Sequence, residues 1–107
     1  MSRIVHGKLV RDLIPEIIEA SGKSCTIRTL SQEEYITALD AKLNEELSEY
    51  QADHSLEELA DLLEVMMAVT AARGHDFSEV EALRRDKAAN RGGFQQRIWL
   101  ESVQAPD

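Results

Sequence analysis

An all-α fold is predicted for this chain, built on a helical hairpin that completes a four-helix-bundle core when copies of the chain associate. Three observations predict it. Residues 32–52 carry apolar side chains at three- and four-residue steps. Residues 58–72, ELADLLEVMMAVTAA, are apolar at eleven of fifteen positions and so cover most of a helix circumference. Only the break Asp53-His54-Ser55 divides the two stretches, which makes them antiparallel neighbours.

The elements follow in order. Asp12 to Ala20 (DLIPEIIEA) predicts a short helix, with Pro15 tolerated in its first turn and Gly22 just past its end. Ser24 to Leu30 (SCTIRTL) is β-branched and alternating, so a short strand or extended segment is expected near 24–30. Ser31 offers an N-cap with Glu34 as its capping-box partner, and a helix is expected from there to about Ala52. Its stripe is Ile36, Leu39, Leu43, Leu47 and Tyr50; Glu46 lies on the stripe's edge, Glu49 one step out and Glu45 well away from it. Ser55 can cap the next helix, which runs to about Arg73 with Gly74 beyond its end. A charged fourth helix is expected from Ser78 or so to Asn90, closing at Gly92-Gly93. The tail Phe94 to Val103 (FQQRIWLESV) reads as a second short strand near 94–101, paired with 24–30.

Length and charge narrow the function. At 107 residues the chain reads as one domain, 1–107, with a core small enough that association between copies is expected. The net charge of −8 argues against nucleic-acid and membrane-surface binding, which need a cationic face. It leaves room for small phosphorylated ligands held through metal ions and a few local Arg and Lys. The single Cys25 fits a reducing cytoplasm, and the N-terminal MSRIVHGKLVRD lacks the apolar run of a signal peptide. A cytoplasmic homodimer or homotetramer is the expectation.

The chemistry is carried by acids in an apolar setting. The second hairpin helix begins with Glu58 and Asp61 and adds Glu64 one turn later, although it has little polar surface to present. A carboxylate out of water costs several kcal/mol unless it is paired or bound to a cation. Glu46 with Glu49, and Glu58 with Asp61, are i, i+3 pairs that each project from one helix face, and the hairpin brings the pairs together. Two unit charges about 4 Å apart repel by roughly 4 kcal/mol at an effective dielectric of 20. A divalent cation removes the conflict, and an all-oxygen set without Cys or His favours Mg²⁺, with Mn²⁺ as a substitute. Against this stands the plainer reading of solvated helix acids, with Glu58 completing a capping box from Ser55 and first-turn acids serving the helix dipole. Two basic groups, Lys8 with Arg11 and Lys87 with Asn90 and Arg91, are candidate phosphate ligands. The second group serves equally as a complement to the C-terminal dipole of its own helix. Nothing in the sequence identifies a base or sugar.

The stretch NEELSEYQADHSLEELADLLEVMMAV resembles the E-E-x-x-E … E-x-x-D signature of the MazG-like all-α nucleoside triphosphate pyrophosphohydrolases, as Glu45-Glu46-x-x-Glu49 and Glu58-x-x-Asp61. KLVRDLIPEIIEASG and RRDKAANRGGFQQRIWLE resemble a small single-domain, phosphoribosyl-ATP pyrophosphohydrolase-like branch of that superfamily, so the likeness spans most of the chain. Only eight residues separate Glu49 from Glu58, fewer than in MazG itself. The resemblance implies that Glu46, Glu49, Glu58 and Asp61 are both the metal ligands and the catalytic acids. Glu45 matches the motif's first position, but its outward helical angle makes it the weaker ligand. The implied reaction is Mg²⁺-dependent cleavage between the α- and β-phosphates of a nucleoside triphosphate, giving monophosphate and pyrophosphate, as in enzymes that remove non-standard or excess nucleotides. Phosphoribosyl-ATP pyrophosphohydrolysis is the neighbouring alternative, and a catalytically silent helical regulatory or assembly module is the contrasting one.

Overall fold

The computed structural model describes Arg3 and residues 6–107. The described residues form four helices, α1 (Ile14–Ala20), α2 (Gln32–Asp53), α3 (Leu56–Ala72) and α4 (Phe77–Arg91), and the fold class is all-α as the sequence predicts. The chain divides into two compact units, one ending at Asp76 and the other running Phe77–Asp107.

In the first unit the α2–α3 hairpin dominates. Ser31 caps α2 with a complete capping box: its side chain accepts from the Glu34 N–H, and the Glu34 carboxylate accepts from the Ser31 N–H. Arg28 grips the same carboxylate at 2.9 Å. These donors hold the Glu34 carboxyl down at about 2, the Arg28 hydrogen bond contributing most. At the other end His54 closes α2 in the left-handed region, φ 59, which a non-glycine residue enters at a cost. Ser55 then caps α3 through the Glu58 N–H. The two helices run antiparallel, as cross-links along their length require. Gln32 donates to the Ala72 carbonyl at 3.0 Å and Arg73 reaches Asp40 at 3.3 Å, far from the turn at 54–55.

The core is small. Leu39 (3% exposed) and Val65 (9%) are the buried apolar residues among those described. Two such side chains contribute roughly 3–6 kcal/mol of transfer free energy, little for a chain of this length. Helix α3 carries more apolar surface than α2 covers within one chain. Leu56, Leu59, Leu63 and Met66, at steps of three and four, form an exposed apolar stripe on α3.

Helix α1 begins two residues later than expected, at Ile14. Asp12 provides no cap; the Ile14 N–H instead closes a turn on the Arg11 carbonyl, and Pro15 falls in the first turn. The strands expected near 24–30 and 94–101 are not present among the described residues. Alternating β-branched residues make a strand only when a neighbour supplies a ladder, and the segment 24–30 is extended without one.

In the second unit α4 runs one residue further at each end than expected. It closes at Gly92, whose N–H bonds the Ala88 carbonyl at φ 82. Beyond it, 94–97 is a turn with Arg97 at φ 58, and Ile98, Trp99 and Leu100 lie exposed without regular structure. No described helix is long and apolar enough to cross a membrane.

Candidate metal centre

The hairpin register sets the candidate site. With α2 and α3 antiparallel across a two-residue connection, the turn of α2 holding Glu46 faces the first two turns of α3. One carboxylate oxygen from each of Glu46, Glu58 and Asp61 lies within 4.8 Å of the others, and Glu46 forms a second such group with Glu45 and Glu49. Glu46 is the corner that both groups share. Its side chain is 8% exposed, and its Oε2 is buried without a hydrogen-bond partner, as is Oε2 of Glu58.

The electrostatics follow from that crowding. Burial pushes the Glu46 carboxyl above its usual 4.5; Lys42 pulls against this and the charge on Glu49 adds to it. Glu58 is likewise raised, by burial first and then by the charges of Asp61, Glu46 and Asp53. Both shifts say that burial and neighbouring like charge disfavour the ionised cluster, a cost that positive charge relieves.

Part of that charge is internal. Lys42 Nζ lies 3.2 Å from Glu46 Oε1 and 3.4 Å from Glu45 Oε1, with its side chain 17% exposed. Burial works against this ammonium, yet the hydrogen bond to Glu46 and the charges of both glutamates leave its pKa raised. Arg11 Nη2 donates to Asp61 Oδ1 at 2.7 Å and Nη1 lies 3.7 Å from Glu64 Oε1, while Lys8 sits 3.9 Å from Glu45. Beside these groups opens a cleft of about 410 Å³ lined by Arg11, Lys42, Glu46, Asp61 and Glu64, with Leu39 in its apolar wall.

All four acids singled out in the sequence therefore lie in the two overlapping groups, though not as one ring. Glu49 belongs with Glu45 and Glu46, and is exposed. Glu45, turned away from the apolar stripe by helical angle, is half-buried and within reach of the cluster. Lys8 and Arg11 reach the site, but their partners here are its carboxylates. Lys87, Asn90 and Arg91 are exposed on the last turns of α4 in the second unit. Lys42 is the site residue that sequence reasoning passed over, and Glu64, noted there as a third acid of its helix, was left out of the candidate ligands. Lys42 had a signal, standing one helical turn before Glu45 and Glu46. Glu64 likewise stands one turn after Asp61.

The donor set suits a hard divalent cation: oxygens only, converging from two rigid helices, with buried lone pairs unused. No protein-family model matches the chain, and no solved structure matches it. A protein of Mycolicibacterium smegmatis (strain ATCC 700084 / mc(2)155), described only as uncharacterized, is 62% identical to it over 46 residues. Those residues are 43% of this chain and 47% of that protein, so the chain matches about half the length of this curated relative.

Proposed function

We propose that the chain is a Mg²⁺-dependent nucleotide pyrophosphohydrolase of the MazG-like kind, cleaving the α–β phosphate bond of a nucleoside triphosphate. The observation that carries this reading is the Glu46 corner: a carboxylate almost out of water, one oxygen on Lys42 and the other unused, shared by two acid groups. Solvated helix acids have no reason to be arranged so, because a buried carboxylate oxygen left without a partner is costly. The resemblance of 45–49 and 58–61 to the E-E-x-x-E … E-x-x-D signature supplies the reaction.

Glu46, Glu58 and Asp61 would hold the cation, with Glu45 and Glu49 at its open side. When bound, Mg²⁺ lowers the pKa of a water ligand and offsets charge on the leaving pyrophosphate. The protein's own residues do the rest. The two helices fix the carboxylates at a spacing set by the hairpin. Arg11 and Lys8, on the segment before α1, stand beside the acids of the cluster and would take phosphate oxygens there. Leu39 and its apolar neighbours give the cleft an apolar wall. No covalent nucleophile is required, and Cys25, which donates to the Pro15 carbonyl, is not near any of these acids in the hydrogen-bond network.

The exposed stripe on α3 supports association: a second copy that laid its own stripe against this one would complete a four-helix core. The single Cys25 supports a reducing cytoplasmic location. The test of activity is a panel of nucleoside triphosphates and phosphoribosyl-ATP incubated with Mg²⁺ or with EDTA. Monophosphate and pyrophosphate should appear in equal amounts, with Mg²⁺ alone. Release of orthophosphate in place of pyrophosphate would refute cleavage of the α–β bond, and no turnover of any substrate would leave the helical assembly module as the better reading.

A further inference from the structure

We infer that Arg11 makes this site select a metal–polyphosphate complex over a bare divalent cation, by exchanging its partner from Asp61 to a phosphate oxygen. The inference rests on the pyrophosphohydrolase reading above and adds a role that the acid motif does not contain. In the structure the Arg11 guanidinium already occupies Asp61, one of the three acids of the Glu46–Glu58–Asp61 corner, at 2.7 Å, and its other nitrogen leans on Glu64. Lys42 also touches this corner, but it is 17% exposed and held by two glutamates. Arg11 is 54% exposed and is the cation able to leave.

A divalent ion arriving alone must expel Arg11 from Asp61 or accept a like charge beside it. An exposed ion pair of this kind opposes that exchange by up to about fivefold in binding constant. An ion arriving with a polyphosphate meets a different balance. The displaced guanidinium, still in the cleft with Asp61 and Glu64, finds phosphate oxygens that its planar fork fits in bidentate fashion. Arg11 thus penalises the bare ion and favours the complex, so bare ion and polyphosphate bind with positive coupling, and the coupling is reciprocal.

The experiment measures two dissociation constants by calorimetry on the full chain: Mn²⁺ alone, and Mn²⁺ with imidodiphosphate, a pyrophosphate analogue that is not hydrolysed. Arg11→Ala should tighten Mn²⁺ alone by about two- to fivefold and weaken the imidodiphosphate complex by at least about tenfold. Arg11→Lys, which keeps the charge and loses the fork, should leave Mn²⁺ alone near the parent value and weaken the complex. Opposite signs are the signature, since a merely structural loss moves both constants the same way. Arg11→Ala weakening both, changing neither, or tightening Mn²⁺ without weakening the complex overturns the inference while leaving the metal site standing. Should Arg11→Ala not fold, Arg11→Lys decides: an unchanged complex affinity overturns the exchange. A parent chain that binds neither probe overturns the pyrophosphohydrolase reading and this inference with it.

Discussion

Glu46→Gln is the sharpest perturbation of the candidate centre, because it keeps the side chain's shape and removes its charge. In the absence of metal two effects compete. The variant loses attraction to Lys42, whose Nζ is 3.2 Å away; at an effective dielectric of 20 this is about 5 kcal/mol. It also loses repulsion from Glu45, Glu49, Glu58 and Asp61, each with an oxygen within 4.8 Å, and each such pair is worth about 3 kcal/mol on the same scale. Solvent at the exposed partners scales these figures down, but four repulsions exceed one attraction, and burial of the charge is relieved as well. The metal-free variant should therefore melt at or above the parent's temperature. With Mn²⁺ the order reverses. At a concentration about 100 times the dissociation constant, binding stabilises the parent by about 2.7 kcal/mol, a rise of roughly 10–20 °C for a domain of this size. Glu46→Gln should show almost none of it. Thermal unfolding followed by circular dichroism, in EDTA and in Mn²⁺, makes the comparison. A variant that melts well below the parent in EDTA, yet keeps the full metal response, would refute the reasoning.

Other consequences follow from the same structure. Metal-free stability should peak in mild acid. Glu46 and Glu58 have folded values above 4.5, so the folded state holds protons there that the unfolded chain has lost, and stability falls as pH rises past 4.5. Glu34, held at about 2, acts with the opposite sign: its contribution is complete above 4.5 and is lost as pH falls toward 2. Urea titrations in EDTA across pH 3–7 check this, and a monotonic rise toward neutrality would contradict it. Ser31→Ala should cost about 1 kcal/mol in the same titrations, through loss of the α2 cap. Leu39→Ala, at a position 3% exposed, should cost about 2–5 kcal/mol and leave much of the chain unfolded. Sedimentation at micromolar concentration should find a species at least twice the 12.0 kDa chain mass, and Leu63→Lys on the exposed stripe should shift it toward the monomer.

Much of the fold was legible because its signals are local. Ser31 with Glu34 and Ser55 with Glu58 announce their helix starts through side chains that satisfy orphan N–H groups within three residues. Gly74 and Gly92 mark helix ends because each takes a positive φ. The residues read as strands misled for the converse reason. Ile27 and Trp99 carry β-type patterning, but a strand depends on a non-local partner that pattern alone does not guarantee. At the site, the i, i+3 acid pairs were visible, whereas their division into two groups sharing Glu46 depends on hairpin register. Helical angle alone set Glu45 aside, and it was Lys42 and Lys8 that the structure places against it.

The claim beneath all of this is that the Glu46 corner holds a divalent cation. Crystals of the parent chain soaked in Mn²⁺, with anomalous diffraction recorded above the manganese edge, test it most directly. An anomalous peak is expected at roughly 2.0–2.2 Å from carboxylate oxygens of Glu46, Glu58 and Asp61, with Arg11 moved off Asp61. A map with no peak at that corner, and the Arg11–Asp61 pair still closed in saturating Mn²⁺, would contradict it.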